Sequence, residues 1–81
     1  MKIERIQTGI RLEKRLVKVL KGLAEAKDIG LGDLVEGIVL HAFEGKAPFS
    51  AETLEVIRRL KEIYGLDLTA ADAHGLEEDE P

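Results

Sequence analysis

The sequence predicts a mainly α fold with one N-terminal β-strand, completed by a second copy of the chain and extended by a C-terminal helix. Three observations predict it. Residues 3–12 alternate apolar and polar side chains with a period of two, which is strand spacing. From Glu13 onward apolar residues recur at three- and four-residue intervals, the spacing of amphipathic helices. The second of those helices is apolar around most of its circumference, more than a chain of 81 residues can cover.

The strand places Ile6, Thr8, Ile10 and Leu12 on one face and Arg5, Gln7, Gly9 and Arg11 on the other. A lone strand leaves open N–H and C=O groups along both edges, and the nearest second strand is the same segment of another copy. A homodimer is therefore expected. Glu13 opens the first helix, which runs to about Lys27 with a stripe of Leu16, Val17, Leu20, Leu23 and Ala24 and with Lys14, Arg15, Lys18 and Lys21 opposite. Gly22 interrupts it at a cost of about 1 kcal/mol relative to Ala, so it is either tolerated or lets a neighbour come close there.

Gly30 is a plausible start for the second helix, about Leu31 to Phe43, with Asp33 in its first turn and Gly37 free to admit a crossing backbone. Gly45 and Pro48 stop it. Ser50 caps a third helix, with Phe49 and Leu54 set as a hydrophobic staple, an apolar edge of Leu54, Ile57, Leu60 and Tyr64, and Gly65 at its end. Thr69 and Asp72 have the spacing of a small capping box. The residues after Gly75 form an acidic tail expected to be disordered.

Hydrophobic residues at 44% and charged residues at 35% describe a folding chain with separated faces, not a disordered one. The absence of cysteine excludes disulfides and thiolate metal sites and fits a reducing cytoplasm. No apolar run approaches the roughly 18 residues of a membrane span, so no membrane partner is expected. The net charge of −4 conceals a split. Up to Lys27 there are eight Lys and Arg against three Glu, a charge of +5; from Asp28 onward four basic residues face thirteen acidic ones, a charge of −9. A basic N-terminal third can attract phosphate even on an acidic chain, because that attraction is local on the scale of the Debye length. His41, His74 and Asp72 lack metal-ligand spacing, and no Gly-rich phosphate loop, nucleophile elbow or paired carboxylates occur. No catalytic residue, metal or cofactor is expected, and the chain is not expected to be an enzyme.

The order strand, helix, glycine-containing turn, helix across residues 2–45 resembles the ribbon-helix-helix family of DNA-binding proteins. The resemblance rests on the run from Arg5 to Leu12, on Leu16, Val17 and Leu20, and on the run from Ile29 to Val35. It implies an intertwined homodimer whose two strands pair antiparallel and enter the major groove, which is wide enough for such a ribbon. By that resemblance Gln7, Gly9 and Arg11 face bases and Arg5 lies nearer the phosphates. The resemblance also implies that the start of the second helix, Gly30, Leu31 and Gly32, holds a phosphate through its backbone N–H groups, and Lys14 and Arg15 are expected to add non-specific phosphate contacts. Three positions depart from the family pattern: Gly9 has no side chain to read a base, Thr8 stands where an apolar residue is usual, and Leu31 offers no donor.

The resulting expectation is a sequence-specific, repressor-type transcriptional regulator. Residues 1–45 form its dimerisation and DNA-binding domain, 46–75 a helical extension that can dock a protein, and 76–81 the tail. The alternative keeps the dimer and discards the DNA: a protein-interaction module or antitoxin.

Overall fold

The computed structural model describes residues 1–79 and consists of three helices and one short turn of 3₁₀ helix: α1 (Lys14–Lys27), α2 (Leu31–Phe43), α3 (Ala51–Tyr64) and the turn Ala70–Asp72. The last two residues of the tail, Glu80 and Pro81, lie outside the described residues.

The strand expected over residues 3–12 is not formed. Residues 1–13 adopt neither helix nor strand, and no sheet exists among the described residues. The fold is all-α, which overturns the assignment of a mainly α fold with an N-terminal strand, and with it the ribbon-helix-helix class and its intertwined, ribbon-paired dimer. The physical reason lies in the difference between alternation and pairing. A period of two decides which side chains share a face, but a strand persists only where its backbone groups find partners, and none pairs with residues 3–12 among the described residues. Ile6 and Ile10 accordingly stand 81% and 69% exposed.

The helices begin and end where local chemistry dictates. Glu13 caps α1 with its carboxylate, which accepts from the backbone N–H of Arg15 at 2.9 Å and of Leu16 at 3.3 Å. Asp28 closes α1 in the left-handed region (φ 57°), a conformation that a short polar side chain tolerates better than most. Its N–H and that of Ile29 return to Glu25 and Ala24, satisfying carbonyls at the helix end. Gly30 precedes α2 with no side chain to cap it. Ser50 caps α3 by accepting from the N–H of Thr53 at 3.2 Å, and Gly65 ends that helix at φ 66°. Thr69 and Asp72 form the expected capping box, the Thr69 N–H donating to Asp72 Oδ2 at 2.8 Å.

Helix α1 is central. Both α2 and α3 lie against it, while no Cα of α2 comes within 8 Å of one in α3. Leu23, Ala24 and Leu34 form the buried cluster, covered by Leu20, Ile38, Phe49, Val56, Ile57 and Leu60. Because α1 is covered from two directions, its buried arc is broader than a single stripe. Val19 is 5% exposed although the spacing argument leaves it out, whereas Leu16, inside the predicted stripe, sits 36% exposed. Of the two readings open for Gly22, the close approach is the one the structure shows: a Cβ there would lie 2.9 Å from Leu60 Cδ2, so α1 and α3 meet at this glycine. Gly37 has no such neighbour within 4 Å and marks no crossing within the chain. Phe49 packs on the core, but Leu54, its expected staple partner, remains 53% exposed.

Candidate nucleic-acid interface

The basic residues of the N-terminal third occupy an exposed arm, residues 1–12, and the outer side of α1 that continues from it. Lys14, Lys18 and Lys21 are exposed along α1, and Lys18 Nζ lies 5.8 Å from the centroid of the Tyr64 ring, a cation–π contact that ties α1 to the end of α3.

The arginines do not converge. Arg5 reaches α2, where Nε and Nη2 each donate to the Glu36 carboxylate at 3.0 Å in a two-pronged fork, with Asp33 at 3.7 Å. The hydrogen bonds from Arg5, and then its charge, hold the Glu36 carboxyl below the ordinary glutamate range. Arg11 reaches the other end of the chain and pairs with Glu78 in the acidic tail. Arg15 is a bracket within the fold: its Nη1 donates to the Gly65 carbonyl at 2.9 Å and to Asp67 Oδ1 at 3.0 Å, and its Nε to Glu13. It therefore fastens the start of α1 to the end of α3.

Gln7 and Gly9 are exposed on the arm, and a Cβ at Gly9 would meet nothing within 4 Å, so no close approach requires a glycine there. Gly30, Leu31 and Gly32 lie exposed at the start of α2 and leave its first N–H groups without a side-chain cap. That helix end is favourable to an anion by its dipole, but Asp33 in the first turn already supplies a negative charge. Of the nine positions singled out from the sequence, Arg5 and the Gly30–Gly32 turn are brought to the same part of α2 through Asp33 and Glu36. Arg11 and Arg15 are directed elsewhere.

Sequence reasoning missed the acidic partners, Glu36, Asp67 and Glu78, which stand 31, 52 and 67 residues from the arginines they hold. No local spacing links groups so far apart. The charge split was the one available signal, since a basic third and an acidic remainder attract one another in a compact chain.

A second surface is apolar. On α2, Val39, Leu40 and Phe43 are 39%, 64% and 82% exposed, on the part of the helix turned away from α1. Among the described residues no group of His, Cys, Asp and Glu is placed to hold a metal ion, and no helix is long and apolar enough to cross a membrane. No protein-family model, curated protein or solved structure matches the chain.

Proposed function

We propose that the chain is a DNA-binding regulator that works as a homodimer, engaging the phosphate backbone through its N-terminal arm and the basic side of α1. The observation that carries this reading is the exposed arm bearing Lys2, Arg5 and Arg11, continuous with exposed Lys14, Lys18 and Lys21 on α1. These residues concentrate the +5 charge of the first 27 positions on one continuous stretch of chain. The ion pairs made by Arg5 and Arg11 lie in solvent, with side chains 60% and 83% exposed. Exposed pairs are weak and readily exchanged, so phosphate oxygens compete for the same guanidinium forks.

Dimerisation follows from the apolar balance. Among the described residues only Val19, Leu23, Ala24, Leu34 and Leu66 are buried hydrophobics, while Leu40 and Phe43 stand mostly in water. A patch of this kind marks a protein contact. A second copy would also double the number of basic arms and hence the counterions released on binding DNA.

The test is a titration of the full chain against a mixed-sequence duplex at two salt concentrations, read by fluorescence anisotropy. The expected result is an affinity that falls steeply with salt, with a slope reduced by about one in Lys14→Ala. A protein that fails to bind at low salt sinks the reading. Light scattering on the same samples should give twice the monomer mass.

A dimeric protein-interaction module, such as an antitoxin without strong DNA binding, is the second reading. The saturation of Arg5, Arg11 and Arg15 by carboxylates favours it, as does the exposed edge of α3 at Leu54 and Ile63. Absence of salt-dependent binding, with the dimer intact, would select it.

A further inference from the structure

The N-terminal arm and the C-terminal tail are 67 residues apart in sequence yet joined by Arg11 and Glu78. From this juxtaposition we infer that the acidic tail restrains the arm, acting as an internal competitor for the anion the arm takes up. The inference rests on the DNA-binding reading above and adds a regulatory contact to it.

Three observations combine. First, the tail carries consecutive carboxylates at Glu77, Glu78 and Asp79, all exposed, so Glu78 is backed by two further negative charges on the same short segment. Second, both arm arginines end on carboxylates, Arg5 on Glu36 of α2 and Arg11 on Glu78. A carboxylate presents a guanidinium with the same pair of acceptor oxygens that a phosphate does, so these acids stand where phosphate oxygens would. Third, the Arg11–Glu78 contact is open to water, its side chains 83% and 66% exposed. It can therefore break and reform without disturbing the buried cluster of Leu23, Ala24 and Leu34.

The competition is intramolecular. The tail is tethered by the chain itself, so its carboxylates face the arm at an effective concentration set by the tether and not by the amount of protein in solution. DNA must displace them before Arg11 is free. The restraint is electrostatic at a solvated surface, and it weakens as added salt shortens the Debye length from about 10 Å at 0.1 M toward about 3 Å at 1 M. Restraint and binding thus share one salt axis, but the tail's effect is confined to its low-salt end.

The experiment compares three forms of the full chain on one mixed-sequence duplex: the parent, E77Q/E78Q/D79N, and E44Q/E52Q/E62Q. The last removes the same charge from residues that make no ion pair with the arm among the described residues. At about 50 mM salt the tail variant should bind roughly 5-fold more tightly than the parent, with the gain falling below about 2-fold near 300 mM. The control triple should gain less than half as much. Circular dichroism melts of the parent and the tail variant should coincide, since Glu77, Glu78 and Asp79 are all exposed.

Equal binding by the parent and the tail variant, or an equal gain in the control, overturns the restraint while leaving DNA binding in place. If none of the three binds, the restraint and the functional reading fall together.

Discussion

Gly22 offers a test in which two effects of similar size oppose one another. Replacing it with alanine in the middle of α1 should favour the helix by about 1 kcal/mol, because alanine gives up less backbone freedom on folding. The new methyl would lie 2.9 Å from Leu60 Cδ2 and 3.4 Å from Cδ1, too near by about half an ångström against ordinary carbon contacts. Those atoms are the free end of a half-buried side chain, not backbone, so Leu60 can turn aside. Turning it some way out of its rotamer well costs about 0.5–1.5 kcal/mol. The two contributions nearly cancel, and Gly22→Ala should fall within about 0.5 kcal/mol of the parent. The cancellation is exposed by removing the obstacle. Leu60→Ala should itself cost about 2–3 kcal/mol, the lower end for a leucine that is not fully buried. In that background Gly22→Ala should stabilise by the full helix-propensity gain of about 1 kcal/mol. Urea denaturation of the four proteins, followed by far-ultraviolet circular dichroism, closes the cycle and gives the coupling between the two sites. If Gly22→Ala had the same effect with and without Leu60, the close approach of α1 and α3 would not be what holds a glycine there.

Other expectations follow from burial and charge. Leu23, 2% exposed at the centre of the cluster, should cost about 2–5 kcal/mol as Leu23→Ala, a large share of the roughly 4–12 kcal/mol expected for a chain of this length; a thermal melt should show a clearly lowered midpoint. The Glu13 carboxyl is held below its ordinary range, chiefly by the backbone N–H of Arg15, and Glu36 and Glu55 are lowered by hydrogen bonds from Arg5 and Arg58. Groups depressed in this way stabilise the fold above the unfolded glutamate pKa of about 4.3 and lose that contribution as the pH falls through their lower folded values. The melting temperature should therefore decline in acid below that range, and Glu13→Gln should lower it at neutral pH while flattening the decline. On the proposed homodimer reading, Phe43→Glu, at a position 82% exposed, should abolish self-association in size-exclusion chromatography without loss of helix signal; a variant that dimerises as the parent does would exclude this end of α2 from the interface.

The helices were legible because their limits are set by neighbours in sequence. Glu13 and Ser50 cap with their own side chains, Gly65 supplies a left-handed turn, and Thr69 and Asp72 close on each other. Residues 3–12 misled for the opposite reason. Their alternation is real, but whether it becomes a strand depends on a partner that no local pattern specifies. The same limit governs the basic residues. Arg5, Arg11 and Arg15 were identifiable as charged, yet what each one holds, Glu36, Glu78 and Asp67, is a matter of how distant segments are brought together. Arg15 shows the consequence most plainly, since no local pattern reveals that it joins α1 to the carbonyl of Gly65. Val19 and Gly22 likewise owe their surroundings to α1 being covered by two helices, a fact of packing that spacing along one helix does not contain.

With α2 and α3 each resting on α1 and their backbones held apart, the molecule is put together like two leaves on a common spine. Both leaves close over one buried cluster, to which α2 gives Leu34 and α3 gives Val56, Ile57 and Leu60, so peeling away either opens it, whereas unwinding the spine releases both at once. Amide hydrogens of α1 should accordingly be the last to exchange with solvent.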